Sequence, residues 1–309
     1  MRVDIVGSGA MGSLFGGLLA EAGNDVRLID VWDEHVKAIN SKGLWIEGLS
    51  GDRFIEVQAT TEPSGIAGLS DLLVFFVKSY HTESAARNVL PLAGENTIIL
   101  TLQNGLGNAE ILGNVFGEEK VVAGTTSYGA NVLGPGRVSH AGIGPTVIGE
   151  LGGEITQRIS ELAQLLGKAG VKTDTSGNVM GLIWSKLIVN VGINALGTLL
   201  NVRNGQLIKG KHSVALQREL VAEAMEVAAK KGVELIYEDM AHEVATICEK
   251  TSGNINSMLQ DVRNKRKTEI DFINGAIVRE GEALNIPTPV NRVMSSLIKA
   301  IEESYDQQI

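Results

Sequence analysis

Cysteine is almost absent from the sequence, and aromatic residues and long runs of one charge are scarce. The single cysteine, Cys248, excludes a disulfide framework within the chain and a metal site built from cysteines. The net charge of -9 argues against non-specific binding to nucleic acid or to an anionic membrane. The first residues lack the basic and apolar regions of an export signal, so we expect a cytoplasmic protein that acts on a small molecule.

Apolar residues make up 44% of the 309 residues, and one long apolar stretch, residues 180–200, contains a polar stripe. Lys186, Asn190 and Asn194 are spaced four residues apart, so they share one face of a helix. A lysine and two asparagines would be costly in lipid, which favours a helix buried inside the protein over a membrane span. Burial lowers the pKa of a lysine and lets it exchange protons near neutral pH. The alternative is that Lys186 reaches the surface and the asparagines pack locally.

A glycine-rich loop follows the first predicted strand, residues 2–6, and precedes a predicted helix. In this context a GxGxxG sequence turns the N–H groups at the start of the helix towards a pyrophosphate. Asp30 falls at the end of the second predicted strand, residues 25–29, where a carboxylate accepts hydrogen bonds from ribose hydroxyls. The alternative is a glycine-rich turn without a ligand. The candidate loop residues are Gly7, Ser8, Gly9, Ala10, Met11 and Gly12.

Polar residues follow two further apolar runs, residues 71–77 and 96–102, which read as strands covered on both faces. Lys78 and His81 follow the first run, and Asn104 follows the second. Ligands of open parallel sheets bind at the carboxyl ends of the strands, so these side chains are candidates for contact with cofactor and substrate. Taken singly, each is more often a turn or surface residue, and only the position past a strand end makes the two explanations about equal.

Residues 125–150 alternate in the manner of β-strands around the turn Gly134-Pro135-Gly136. This pattern predicts antiparallel hairpins at the edge of the sheet. His140 lies in this segment, and a single histidine beside a hairpin is more often structural than functional. A helix at residues 156–168 and a strand at residues 171–173 complete the first half.

The second half is almost entirely helical, with predicted helices at residues 213–231, 237–250 and 257–284, the last with a kink, and a final helix after Pro287 and Pro289. Asn254 and Ser257 lie at a helix start, where they either cap the helix or bind a carboxylate. Glu269 either forms a solvated pair with a basic neighbour four residues away or faces Lys186.

This change of pattern predicts an α/β chain with two domains. Residues 1–177 should form a Rossmann-type dinucleotide-binding domain, and residues 178–309 an all-α domain for substrate and catalysis. We expect the long polar-striped helix to line the cleft between them.

At these motifs the sequence resembles the ketopantoate reductase (2-dehydropantoate 2-reductase) family along essentially its whole length. The matching stretches are GSGAMG, VKSY, LQNGLG, WSKLIVNVGINAL and NSMLQDVRNKRKTEIDFING, in that order. The resemblance implies an enzyme that transfers hydride from NAD(P)H to the ketone of 2-dehydropantoate, giving (R)-pantoate for pantothenate and coenzyme A biosynthesis. It requires no metal, and a homodimer is expected by family analogy.

The resemblance also implies roles for individual residues. Lys186 would be the general acid, and Glu269 would order the lysine and the substrate hydroxyls. Asn104 would lie near the nicotinamide and the substrate. The remaining substrate contacts implied by the family are Asn190, Asn194, Asn254 and Ser257.

The sequence departs from the family pattern where the cofactor is selected. Many members carry an arginine after the second strand that holds the 2′-phosphate of NADPH, whereas this chain has Asp30 in that neighbourhood. A carboxylate repels the phosphate and favours NADH. Lys78 matches a family lysine that helps to hold the phosphate, so the two signals conflict, and the preference for NADH rests on Asp30. His81 replaces a glutamine of some members.

Two other hypotheses remain open. One is a paralogous reductase of a different 2-oxo or 3-oxo acid, because a fold and a lysine–glutamate pair fix a reaction type better than a substrate. The other is a non-catalytic nicotinamide-binding regulator, which would have no use for Lys186.

Overall fold

The computed structural model describes residues 1–307 of the chain. The chain divides into two compact units. One comprises Met1–Gln103 and Asn108–Val179, and the other comprises Asn104–Gly107 and the chain from Met180 onwards. The division into functional domains at residue 177 stays a prediction.

The first unit contains an eight-stranded sheet and a four-stranded sheet. Its twelve strands are β1 (Arg2–Val6), β2 (Asp25–Ile29), β3 (Leu44–Gly48), β4 (Arg53–Ile55), β5 (Gln58–Thr60), β6 (Ser70–Phe75), β7 (Ala93–Thr101), β8 (Val121–Thr126), β9 (Gly129–Gly134), β10 (Arg137–Gly142), β11 (Thr146–Glu150) and β12 (Thr173–Thr175). The large sheet has the order β12-β11-β8-β7-β6-β1-β2-β5. Its six strands from β8 to β5 are parallel, β11 is antiparallel to β8, and the predicted α/β class is confirmed.

Five helices accompany these strands: α1 (Ala10–Glu21), α2 (Asp33–Lys42), α3 (Thr82–Val89), α4 (Asn108–Phe116) and α5 (Gln157–Lys168). Helix α1 lies between the two sheets because it carries adjacent glycines. A Cβ on Gly16 would lie 2.4 Å from the side chain of Leu28 in β2, and one on Gly17 would lie 2.7 Å from that of Ile46 in β3. The small residues therefore let both sheets pack closely against one helix.

The four-stranded sheet corrects one prediction. The predicted hairpin around Gly134-Pro135-Gly136 exists as β9 and β10, but β10 pairs with β3, and the sheet order is β4-β3-β10-β9. The expectation that this hairpin lies at the edge of the parallel sheet is therefore wrong. Only β11 joins the large sheet as expected. Alternation of residues identifies strands, but it does not identify the partner with which they form hydrogen bonds.

The second unit contains six helices within the described residues: α6 (Val179–Leu200), α7 (Lys211–Lys231), α8 (Met240–Lys250), α9 (Ser257–Arg263), α10 (Asn274–Leu284) and α11 (Pro289–Glu303). The single kinked helix predicted for residues 257–284 is wrong. The chain leaves α9 after Arg263, Lys265 adopts a positive φ of 50°, and a short 3-10 turn at Ile270–Phe272 precedes α10.

Helix α6 is long and apolar enough to cross a membrane by length and composition alone. Two thirds of its most apolar window (67%) is buried inside the protein, and the buried core helix of a soluble protein passes the same test. Trp184, Ile188 and Val191 are fully buried on this helix and belong to one core cluster with residues of α7, α8 and α10. Packing within its own unit therefore accounts for the apolar character of α6.

A buried ion pair joins the centres of β1 and β2. The carboxylate of Asp4 is fully buried and accepts hydrogen bonds from Nε and Nη2 of Arg27, both at 2.6 Å, and from the hydroxyl of Ser70. Three charge-assisted bonds compensate the desolvation of this carboxylate, and removal of the guanidinium would leave it uncompensated.

We expect Arg27→Met to lower the free energy of unfolding by about 3 kcal/mol or more, because the buried charge of Asp4 loses its partner. Urea unfolding followed by circular dichroism measures this change. Arg137→Met is the matched control, since the pair of Arg137 with Glu47 is largely exposed and should contribute less than about 1 kcal/mol. Equal losses for both variants would contradict the prediction.

Candidate functional site

The glycine loop between β1 and α1 is shaped by close packing at its two ends and by open space at its centre. Gly7 has a φ of 92°, and a Cβ there would lie 2.6 Å from the backbone nitrogen of Val77. A Cβ on Gly12 would lie 1.9 Å from the carbonyl oxygen of Gly7. A Cβ on Gly9, in contrast, would have no atom within 4 Å. A loop that is open at its middle glycine fits the close approach of a pyrophosphate to the start of α1.

Asp30 closes the other side of this loop. Its Oδ2 accepts a hydrogen bond from the backbone N–H of Ser8 at 2.7 Å and from the hydroxyl of Ser8 at 3.2 Å. Its Oδ1 accepts from the N–H of Trp32 at 3.0 Å. The carboxylate is therefore fixed by Ser8 of the loop and by Trp32, and its side chain is half-buried.

Lys78 and His81 follow β6, which neighbours β1 in the sheet, so they lie at the same carboxyl edge as the glycine loop and Asp30. Lys78 is half-buried and precedes the 3-10 turn Ser79–His81, in which His81 is exposed. Tyr80 packs edge-on against His81, with ring centroids 4.6 Å apart.

A polar network that the sequence did not reveal joins the ends of β6 and β7. Nε2 of Gln103 donates to the carbonyl oxygen of Val77 at 2.7 Å and to Oγ1 of Thr82 at 2.9 Å. Thr82 donates to Oδ1 of Asn108 at 2.9 Å, and Nδ2 of Asn108 donates to the hydroxyl of Ser79 at 3.1 Å. The only sequence signal was the polar residue directly after an apolar strand. The network holds the loop that follows β6 against the loop that follows β7.

Asn104 begins a loop that belongs by its contacts to the second unit. The N–H of Leu106 donates to the carbonyl oxygen of Phe272 at 2.9 Å. The N–H of Phe272 in turn donates to the carbonyl oxygen of Glu269. Gly105 has a φ of 86°, and a Cβ there would lie 2.7 Å from the carbonyl oxygen of Phe272. The loop therefore anchors Asn104 beside the segment that carries Glu269.

Lys186 lies on α6 with Asn190 and Asn194 on the same helical face. Lys186 and Asn190 are half-buried and Asn194 is buried. Desolvation lowers the pKa of Lys186 to about 8, and the negative charge of Glu269 partly opposes this shift by raising the pKa. Although Lys186 retains some accessible surface, desolvation is the larger influence on its amine.

Glu269 is 9% exposed and precedes the 3-10 turn Ile270–Phe272. The interpretation of Glu269 as a solvated partner in an i, i+4 helical pair is therefore wrong, because the residue is buried and lies outside an α-helix. Glu269 is 83 positions after Lys186 in the sequence, yet its charge raises the pKa of Lys186, so the fold brings the two charges within electrostatic reach.

The start of α9 is capped by a different residue from the one predicted. Oδ1 of Asn256 accepts a hydrogen bond from the N–H of Leu259 at 2.9 Å, so Asn256, and not Ser257, is the N-cap. Asn254 and Ser257 are exposed on either side of it. The capping explanation for Ser257 is therefore wrong, and its hydroxyl does not serve as the helix cap.

His140 and Cys248, to which the sequence assigned no role, are both buried. His140 lies in β10 and stacks on Tyr128, with ring centroids 5.5 Å apart. Cys248 lies on α8, and burial raises the pKa of its thiol.

Two family models match the chain. The model of ketopantoate reductase PanE/ApbA matches residues 3–153, and that of its C-terminal region matches residues 178–302. The chain belongs to the ketopantoate reductase family. The family predicted from the sequence motifs is thereby confirmed.

Relatives of this ketopantoate reductase family member are similar along their whole lengths. The 2-dehydropantoate 2-reductase of Pyrococcus horikoshii is 37% identical over 302 residues, which cover 98% of each chain. The crystal structure of a PanE/ApbA family ketopantoate reductase from Ralstonia eutropha JMP134 is 38% identical, covers 99% of this chain and 100% of its own, and has a TM-score of 0.92.

A third similar protein carries a different name. A ternary structure of D-mandelate dehydrogenase with NADH and anilino(oxo)acetate is 32% identical to this chain. It covers 99% of this chain and 100% of its own, with a TM-score of 0.92. Proteins named for different substrates therefore share this fold, and their structures are about equally similar to that of this chain.

We expect Glu269→Gln to lower the pKa of Lys186 further below about 8, because the substitution removes the charge that raises it. Titration of the lysine ε-carbon by NMR in selectively labelled protein measures this shift.

Glu282→Gln is the control for this titration, since Glu282 lies on α10 of the same unit and forms an exposed pair with Arg292. It should leave the pKa of Lys186 unchanged. A pKa of Lys186 that stays constant or rises in Glu269→Gln would contradict the assigned electrostatic contact.

Proposed function

We propose that this ketopantoate reductase family member reduces the ketone of 2-dehydropantoate to (R)-pantoate with a reduced nicotinamide dinucleotide. The observation that carries the proposal is the desolvated amine of Lys186, which has a pKa of about 8 and lies under the influence of Glu269. An amine with such a pKa remains largely protonated at neutral pH and gives up its proton more readily than an exposed lysine.

Lys186 acts as the general acid in this proposal. Reduction of a ketone develops negative charge on the oxygen, and a nearby ammonium stabilises that charge and then protonates it. The bound nicotinamide supplies the hydride. Glu269 keeps the amine protonated, since its charge raises the pKa of Lys186.

The remaining predicted residues bind and orient in this proposal. Asn190 and Asn194 share the helical face of Lys186, and Asn104 is anchored beside Glu269 through Phe272. Asn254 and Ser257 flank the capped start of α9, where exposed polar groups can hold a substrate carboxylate. The glycine loop, Lys78 and His81 bind the dinucleotide in this proposal.

Reduction of another 2-oxo acid is the second candidate. The similarity to D-mandelate dehydrogenase favours it, because mandelate, like pantoate, carries a hydroxyl group next to a carboxylate. A non-catalytic regulator has no use for a proton donor, so a desolvated Lys186 argues against that hypothesis. Assembly as a homodimer stays a prediction.

Steady-state kinetics with 2-dehydropantoate and with phenylglyoxylate test the function. We expect a higher kcat/KM for 2-dehydropantoate, and Lys186→Met should lower kcat by about 100-fold to 10,000-fold, because a general acid contributes that much. Dinucleotide affinity should remain close to that of the wild type. Because Lys186 must carry its proton, the rate of reduction should be constant below a pH of about 8 and decline above it.

Two outcomes would overturn parts of this proposal. Turnover of phenylglyoxylate without turnover of 2-dehydropantoate at millimolar concentration would replace the first candidate by the second. Retention of wild-type turnover in Lys186→Met would refute the role of the lysine in both.

We propose NADH as the preferred cofactor. The carboxylate of Asp30 is fixed by Ser8 and Trp32 at the carboxyl end of β2, where a 2′-phosphate would meet its negative charge. Lys78 offers a compensating charge at the end of β6, but its longer and more flexible side chain can turn away when no phosphate is present.

Asp30→Asn tests this preference, because it removes the charge and keeps an oxygen acceptor for the N–H of Ser8. We expect the ratio of kcat/KM for NADH to that for NADPH to fall by about tenfold, since one fewer negative charge faces the phosphate. Parallel assays with both cofactors measure the ratio. Asp33→Asn, at an exposed residue of the same segment, is the control. An unchanged ratio in Asp30→Asn would refute the assignment.

A further inference from the structure

A histidine that the proposed mechanism does not use lies directly behind the glycine loop. His35 is in the first turn of α2 and is fully buried. Its ring stacks on Trp32, with centroids 4.9 Å apart and planes 11° from parallel. A buried imidazole is costly unless both of its nitrogens form hydrogen bonds, so its partners show what it holds in place.

The two ring nitrogens connect distant parts of the first unit. Nδ1 accepts a hydrogen bond from the N–H of Gly136, in the turn between β9 and β10, at 3.0 Å. Nε2 lies 3.2 Å from the hydroxyl of Ser13 on α1. That hydroxyl donates to the carbonyl oxygen of Ser8 at 2.6 Å. A continuous chain of hydrogen bonds therefore runs from the four-stranded sheet to the glycine loop.

The direction of every hydrogen bond in this chain follows from its ends. A backbone N–H can only donate, so Nδ1 of His35 carries no proton, and a neutral ring has its proton on Nε2. A carbonyl oxygen can only accept, so the hydroxyl of Ser13 donates to Ser8 and accepts from His35. A protonated ring would place two donors against each other at Gly136. Desolvation lowers the pKa of His35, although Asp30 and the backbone of Ser8 oppose the shift, and this favours the neutral ring.

Hydrogen bonds fix the two peptide groups on either side of Ser8, next to the open part of the loop. The carbonyl oxygen of Ser8 is held by Ser13, and the N–H of Ser8 is held by Asp30 at 2.7 Å. With both groups engaged, the backbone before Gly9 cannot rotate to point its carbonyl oxygen towards a phosphate. Such preorganisation reduces the cost of ordering the loop when an anion binds.

We propose that His35 is a positioning residue for dinucleotide binding, which acts through Ser13 on the carbonyl group of Ser8. The inference rests on the proposed binding of a nicotinamide dinucleotide at the glycine loop. It gives the four-stranded sheet a function, since the turn at Gly136 supplies the donor that sets the tautomer of His35.

Three substitutions separate this role from simple packing. In His35→Asn the amide oxygen can replace Nδ1 as acceptor for Gly136, but no donor reaches Ser13. In His35→Gln the longer side chain brings an amide N–H to the place of Nε2 and restores the donor to Ser13. Ser13→Ala removes the bridging hydroxyl at a helical position that favours alanine.

Fluorescence titration with NADH and steady-state kinetics measure the effects. We expect His35→Asn and Ser13→Ala to raise the Kd for NADH by about five- to tenfold, the effect of one lost buried hydrogen bond, and His35→Gln to remain within about twofold of the wild type. The kcat at saturating NADH should stay within about twofold in all three, because the reacting groups are untouched. The double variant His35→Asn/Ser13→Ala should bind no more weakly than Ser13→Ala alone, since both break one chain.

His140→Asn is the matched control. His140 is a second buried histidine of the same unit, stacked on Tyr128 and outside this chain of hydrogen bonds. Its replacement should lower the thermal midpoint of unfolding and leave the Kd for NADH unchanged.

The outcomes distinguish failure of this inference from failure of the proposed function. Wild-type affinity in both His35→Asn and Ser13→Ala would overturn the inference alone and leave a structural role. A Kd for His35→Gln as high as that for His35→Asn would also overturn it, because the donor to Ser13 would then be irrelevant. A wild-type protein that bound neither NADH nor NADPH would refute the proposed function, and the inference with it.

Discussion

A lysine amine held partly out of water, with one carboxylate to oppose the loss of its charge, is the interaction on which the proposed chemistry depends. Desolvation alone would drive Lys186 towards the neutral form, and a neutral amine has no proton to donate. The charge of Glu269 limits the shift, so that the pKa settles at about 8. The two groups therefore tune one acid, and neither achieves this alone.

Two different parts of the second unit supply the desolvation and the opposing charge. The apolar surroundings of α6 supply the first, and the segment after α9 supplies the second. Buried residues such as Trp184 and Ile188 fix the helix and thereby the position of Lys186. The chain between α9 and α10 abandons the helical conformation, and this break brings Glu269 towards Lys186 in a buried position. The same segment receives the loop of Asn104 through Phe272. One irregular stretch thus positions Glu269 and anchors the loop of Asn104.

In the first unit, the sequence motif describes only part of the glycine loop. Gly7 and Gly12 are required by close packing, and the space beside Gly9 is what a ligand needs. The conformation of the loop is set from outside the motif, by Asp30 on one side and by Ser13 and His35 on the other. His35 in turn depends on a hairpin turn 101 residues further along the chain.

The sequence by itself determined the elements whose signals are local. Glycine spacing after an apolar strand, continuous apolar runs for the central strands and a polar stripe on one helix were sufficient for the family, the α/β class and α6. Tertiary structure alone decided that β10 pairs with β3, that Asn256 caps α9 and that His35 supports Ser8. It also decided between the two interpretations that the sequence left open for Glu269, in favour of a position within electrostatic reach of Lys186. The physical reason is that periodicity records which face of an element is buried, whereas a hydrogen bond or charge pair between distant residues depends on where the folded backbone brings them together.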